Sequence, residues 1–175
     1  MKTEFTCKPL NNTSIPAEDK LALDSFNKKV AELTRAITGS DEFRKEMSDN
    51  LAYLKKAVLD GANVPAETYS QIINIESDLR EVNRKLNGDQ LRSRYEGSAP
   101  TSVKQRVELI TGALWSTTAA PTNTFIKSYD VAASKFDEIL SDLKSIESSI
   151  KQIESELEKS GAPYTPGRFP EWKKN

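Results

Sequence analysis

An all-α, elongated, antiparallel up-and-down helical bundle is the fold class that this chain of 175 residues predicts. Three observations lead there. Apolar residues recur at gaps of three and four along most of the chain, the spacing that lines one face of a helix. Short connections carrying Gly or Pro separate these segments, which makes consecutive helices neighbours. Only residues 3 to 8 show strand-like alternation, and that weakly. The expected organisation is a linker or remnant strand at residues 1–15, a four-helix-bundle-like body of about five helices at 16–160, and a Pro-rich aromatic tail at 161–175 docked on the bundle.

Glu4-Phe5-Thr6-Cys7-Lys8 is the weakly alternating stretch, and Pro9 to Pro16 reads as an extended linker. Asn11-Asn12-Thr13-Ser14 holds two overlapping glycosylation sequons, a pattern that implies exposure. A lone strand cannot stabilise itself, so its neighbours are expected upstream of residue 1.

The first helix is expected to start at Pro16 or Ala17, with Leu23, Phe26, Val30, Leu33 and Ile37 facing inward. Gly39 ends it. Ser40 is a good N-cap for a second helix, with Asp41 and Glu42 at the positive end of its dipole. Phe43, Met47, Leu51, Leu54 and Val58 carry the second helix to Gly61, so the first two helices form an antiparallel hairpin.

The third helix begins near Pro65, with Tyr69, Ile72, Ile75, Leu79, Val82 and Leu86 as its stripe. It is expected to run through Gly88 to about Tyr95, because a glycine inside a helix costs only about 1 kcal/mol against alanine. Ser102 and Gln105 form a capping box for the fourth helix, whose Val103, Val107, Ile110 and Leu114 face inward with Trp115 beside them.

The fifth helix, from about Thr122 to Ser160, has the clearest pattern. Phe125, Tyr129, Ala132, Phe136, Ile139, Leu143, Ile146, Ile150, Ile153 and Leu157 form one stripe over a helix of roughly 58 Å. The other helices have stripes of their own to bury, so this one is expected to pack within the chain and not in a coiled-coil dimer. The helices are unequal in length, which predicts a bundle four helices thick over only part of its axis.

The totals exclude several classes. With 25 basic and 26 acidic residues the formal net charge is −1, so no long-range field recruits nucleic acid. The absence of histidine removes His-based triads, HExxH zinc sites and the Glu-x-x-His pairs of ferritin-like metal centres. No metal or other cofactor is expected. Cys7, the lone cysteine, has no internal disulfide partner. No apolar run approaches the length of a membrane span, and Met1 to Thr6 lack the apolar core of a signal peptide. The chain is therefore expected to be cytoplasmic or cut from a longer one. The acidic pairs Asp41-Glu42, Asp137-Glu138 and Glu156 with Glu158 lie on solvated helix faces, where nothing raises their pKa for acid catalysis.

The tail stands apart. Its prolines and glycines exclude helix, yet Tyr164, Phe169 and Trp172 are costly to leave in water. The expectation is that it folds back and docks these aromatics on the bundle. Alternatively it forms an interface with another domain, with Arg168 as a polar anchor. Trp115 is expected in or near the core, with a small binding groove beside Thr117 and Thr118 as the alternative. Tyr164, Arg168, Phe169, Trp172 and Trp115 are the candidate interaction residues, and no residue is assigned to catalysis.

Gly161-Ala162-Pro163-Tyr164-Thr165-Pro166-Gly167-Arg168-Phe169-Pro170-Glu171-Trp172 resembles the extreme C-terminus of large bacterial BNR-repeat proteins, sortilin-type propeller proteins often labelled glycosyl hydrolases. The Ala120-Pro121-Thr122 entry to the preceding long helix is also similar. The resemblance implies an exported parent with a β-propeller, then a small β-sandwich, then this helical domain. Phe5 to Leu10 would be the last strand and exit of that sandwich. No Asp-box of the S-x-D-x-G-x-T-W type occurs here, so the resemblance brings no active-site residue. It implies a non-catalytic accessory domain whose partners are the propeller and sandwich. The alternatives are a domain that completes a carbohydrate site of the parent, with Tyr164 or Trp172 stacking on sugar, and a free-standing helical adaptor or sensor.

Overall fold

The computed structural model describes residues 3–6, 17–97, 99–115, 117, 119–170, 172 and 174. The sequons at Asn11 to Ser14, Cys7 and the linker from Pro9 lie outside the described residues. Residues 3–6 have no regular secondary structure, and Phe5 is exposed.

The chain is an all-α bundle of five helices: α1 (Ala17–Asp60), α2 (Ala66–Asn87), α3 (Gln90–Glu96), α4 (Val103–Leu114) and α5 (Asn123–Lys159). The fold class is the expected one, but two of the helix boundaries are not. The expected hairpin at Gly39-Ser40 does not form, and α1 runs unbroken through it. The reason lies in the phase of the stripe. Ile37, Asp41, Arg44, Met47, Leu51 and Leu54 keep steps of three and four across Gly39, so one straight helix buries both halves against the same neighbours. Gly39 is exposed, with open space where a Cβ would stand.

The second correction is at Gly88. The expected continuous helix to Tyr95 stops at Asn87, because Gly88 takes φ 95° and ψ 163°, a backbone conformation that suits glycine. Asp89 then caps α3, its carboxylate accepting from the Arg92 N–H at 2.9 Å. α3 buries no residue and packs on no other helix.

Other local expectations hold. The Ser102–Gln105 capping box is complete, with Ser102 Oγ accepting from the Gln105 N–H at 3.3 Å and Gln105 Oε1 accepting from the Ser102 N–H at 3.0 Å. Thr122 caps α5, and the stripe from Ala132 to Leu157 is buried along its length. Phe125 and Tyr129 pack at the margin of this core.

The element order puts three rods side by side. Phe26 of α1 meets Tyr129 of α5 edge-on at 5.8 Å, and Asn50 of α1 donates to Glu154 of α5 at 2.9 Å. These pairs advance together along the chain, so α1 and α5 are parallel. The third rod is antiparallel to both and is divided. Its first part is α2, which pairs with the later half of α1 (Lys55 to Glu76 at 3.0 Å) and with α5 (Lys85 to Asp142 at 2.8 Å). Its second part is α4, which lies along residues 30–45 of α1. α2 and α4 meet end to end, and the segment from Gly88 to Ser102 loops out between them. The expected section of four helices is thus a section of three, because merging the first two helices removes one rod.

Candidate functional site

The candidate surface is the tail, and its course is set at the end of α5. Ser160 closes the helix and Gly161 turns left-handed at φ 66°. The Gly161 N–H then donates to Glu158 O at 3.1 Å and the Ala162 N–H to Leu157 O at 3.0 Å, the pair of bonds of a Schellman motif. Ala162 is buried beside Gly61, where a Cβ added to the glycine would stand 3.3 Å from Ala162 Cβ and 3.1 Å from Ala57 O. The same Cβ would stand 2.6 Å from Val64 Cγ2, so Gly61 makes room both for the α1–α2 connection and for the tail.

Thr165, Pro166, Gly167 and Arg168 make a second turn. Pro166 and Gly167 occupy its middle, Gly167 has φ 89°, and the Arg168 N–H donates to Thr165 O at 3.1 Å. This residue order and bond are those of a type II turn. Thr165 is buried beneath it. Arg168 pins the tail: its side chain is 7% exposed, ion-paired with Glu158, donating to Pro163 O at 3.3 Å, and stacked 5.4 Å from the centre of the Tyr164 ring.

The expected docking of the aromatics is corrected by this geometry. Ala162, Thr165 and Arg168 hold the tail against the bundle, while Phe169 is 90% and Trp172 81% exposed, and Tyr164 is about half exposed. The turns at Gly161 and at Pro166-Gly167 set the chain direction, and along it Ala162, Thr165 and the Arg168 side chain face inward. Arg168 is an internal pin in this structure.

Trp115 is also displaced from its expected place in or beside the core. It follows the last residue of α4 and is 92% exposed, because α4 ends one residue earlier with Leu114 as its last inward position. It borders a groove of 510 Å³ over Val30, Ala31 and Thr34 of α1. About thirty residues of α1 separate that level from the tail, roughly 45 Å. The five candidate residues therefore form two surfaces, with Tyr164, Arg168, Phe169 and Trp172 at one end and Trp115 far from them.

A polar node escaped the sequence reading. Asp41 lies in the inward stripe of α1 and accepts from Arg44 Nε at 2.9 Å and Asn87 Nδ2 at 3.0 Å, and Asn87 also donates to Asn83 Oδ1 at 2.9 Å. Burial works to raise the Asp41 pKa. The hydrogen bonds from Asn87 and Arg44 and the charges of Arg44 and Lys45 outweigh it, and the carboxyl titrates below its ordinary range. The node sits at the α2–α4 junction, beside a cavity of 680 Å³ whose rim includes Arg80 and Lys104. The signal was present in the phase of Asp41 with Ile37 and Met47, although its position after Ser40 reads as a helix start.

Among the described residues no cluster of three metal-ligating side chains occurs, and no helix is long and apolar enough to cross a membrane. No protein-family model, no curated protein and no solved structure matches this chain.

Proposed function

We propose that the chain is a non-catalytic interaction domain that contacts its partner through the tail. The observation that supports this reading is the pairing of a pinned backbone with outward aromatics. Phe169 is 90% exposed directly after Arg168, which with Ala162 and Thr165 holds the tail in place, and Trp172 is 81% exposed. Rings presented on an ordered segment lose little conformational entropy on binding, and aromatic side chains supply large contact area. The resemblance of residues 161–172 to the ending of exported BNR-repeat propeller proteins suggests the partner. It is the propeller and β-sandwich of a larger parent, which this domain packs against at its C-terminal end.

The test joins genetics to binding. The native gene is read upstream of Met1, and the propeller and sandwich expected there are produced as a separate protein. Wild-type chain is expected to bind it, and the double variant Phe169→Ala, Trp172→Ala to bind at least tenfold more weakly. Equal binding by the variant, or an upstream region without BNR repeats, overturns the reading. In a Trp115→Phe background Trp172 is the only tryptophan. Quenching of its fluorescence by an oligosaccharide panel would replace protein contact with sugar stacking.

A further inference from the structure

A three-rod bundle has an outer seam between its parallel helices, and here that seam is not a neutral surface. Met47 of α1 and Ile150 of α5 form a buried apolar floor, 5% and 4% exposed. Phe43 and Tyr53 stand on its α1 side at 39% and 51% exposure, and Pro166 of the tail closes one end. The space they enclose is 430 Å³. In a bundle four helices thick, Phe43 would face a fourth rod. With the first two helices merged it faces the open groove.

Charge lines the same groove. Glu46 and Asp49 on α1 and Glu147 and Glu154 on α5 border it, and Lys151 is the one cation among its lining residues. Lys151 is held by Glu147 at 2.5 Å, and Glu154 accepts from Asn50. Glu46 and Asp49 make no ion pair among the described residues and are exposed. A chain whose formal net charge is −1 thus concentrates four carboxylates around an apolar floor.

We propose that the α1–α5 seam is a docking groove for a basic amphipathic helix of a partner protein, which takes the place of a fourth rod. From Phe43 to Tyr53 the groove runs about 15 Å, the rise of about ten helical residues. An occupant with apolar residues on one face covers Met47, Ile150, Phe43 and Tyr53, and its flanking Lys or Arg residues meet the carboxylates. An acidic or purely apolar helix leaves those carboxylates facing like charge or unpaired. The inference rests on the reading of this chain as an interaction domain, and it adds a surface other than the tail aromatics together with the chemistry of what binds there.

The test uses the full chain, labelled with ¹⁵N and titrated with a 14-residue acetylated and amidated Lys/Leu amphipathic helix. Saturable binding is expected, with amide shifts centred on residues 43–54 and 147–154. Glu46→Lys with Asp49→Lys should weaken it at least tenfold. Charge reversal at Asp130 and Asp137, exposed on α5 away from the groove, should change it less than twofold. Three results overturn the proposal: no saturable binding, equal binding of a Glu/Leu helix, or an affinity unmoved by the Glu46 and Asp49 reversals. The Phe169→Ala, Trp172→Ala variant should bind the peptide like wild type. If it loses the peptide while the groove reversals do not, the groove reading falls and the tail reading stands. If the groove binds as expected but the tail variant still binds the upstream domains, the tail reading falls instead.

Discussion

Asp41 occupies a stripe position where an apolar side chain is the usual occupant, and its partners determine how it behaves there. It is 9% exposed and bonded to Arg44 and Asn87, so α1 is clasped to the end of α2 by a charge that stays ionised. Its folded pKa lies below the unfolded value near 3.8. The folded state therefore binds the proton less readily than the unfolded chain. The stabilisation is full above the unfolded pKa and is lost as the pH falls through the folded one. Asp41→Asn should lower stability in urea at pH 7 by about 1–3 kcal/mol, as for a buried charged hydrogen bond. The gap to wild type should narrow steadily as the pH drops below about 4. Single residues were legible where their role is local. Ser102 with Gln105 could be read as a capping box because a cap needs only the next three residues. The exposure of Trp115, Phe169 and Trp172 could not be read that way. Burial depends on which rod lies opposite and where a helix stops, and hydropathy records neither.

At the scale of elements, Gly39 and Gly88 behave opposite to what their local sequence suggests. Gly39 looked like a helix end and is mid-helix, whereas Gly88 looked tolerable and is a break. Gly39 has ordinary helical backbone and an in-phase stripe on both sides, so burial overrides the local start signal of Ser40, Asp41 and Glu42. Gly88 has a left-handed φ, a buried Leu86 just before it and the Asp89 cap just after it, so the break is favoured locally and by packing. Gly39→Ala should consequently stabilise the protein by about 0.5–1 kcal/mol in urea unfolding, because alanine suits an exposed helix interior better. A hairpin at this point would give the opposite sign. α5 was read almost to the residue because its stripe repeats over so many turns that no local signal competes with it.

Across the whole molecule, the fold class followed from periodicity, but the number of rods hung on the single question of whether Gly39 divides a helix. Merging the first two helices turns the expected section of four rods into one of three. The stripe of α5 is then consumed inside the chain, from Ala132 to Leu157, by α1, α2 and α4. Nothing of it is left for a coiled-coil partner, since opening it would expose the core. Sedimentation equilibrium should return 19.5 kDa at every loading concentration. A dimer that persists on dilution would contradict this arrangement.

The parallel course of α1 and α5 has a mechanical consequence. In a two- or four-rod bundle the first and last helices run in opposite directions, and their outer ends come to the same pole. Here the start of α1 and the end of α5 lie at opposite poles. A force applied between them runs along the rods, so many interlocked side chains must slide past one another at once and cannot peel apart one turn at a time. The divided third rod is the weak member of this frame. The Asp41, Arg44 and Asn87 clasp ties the end of α2 to α1 and not to α4, so tension that reaches this rod is handed to α1 at the α2–α4 junction.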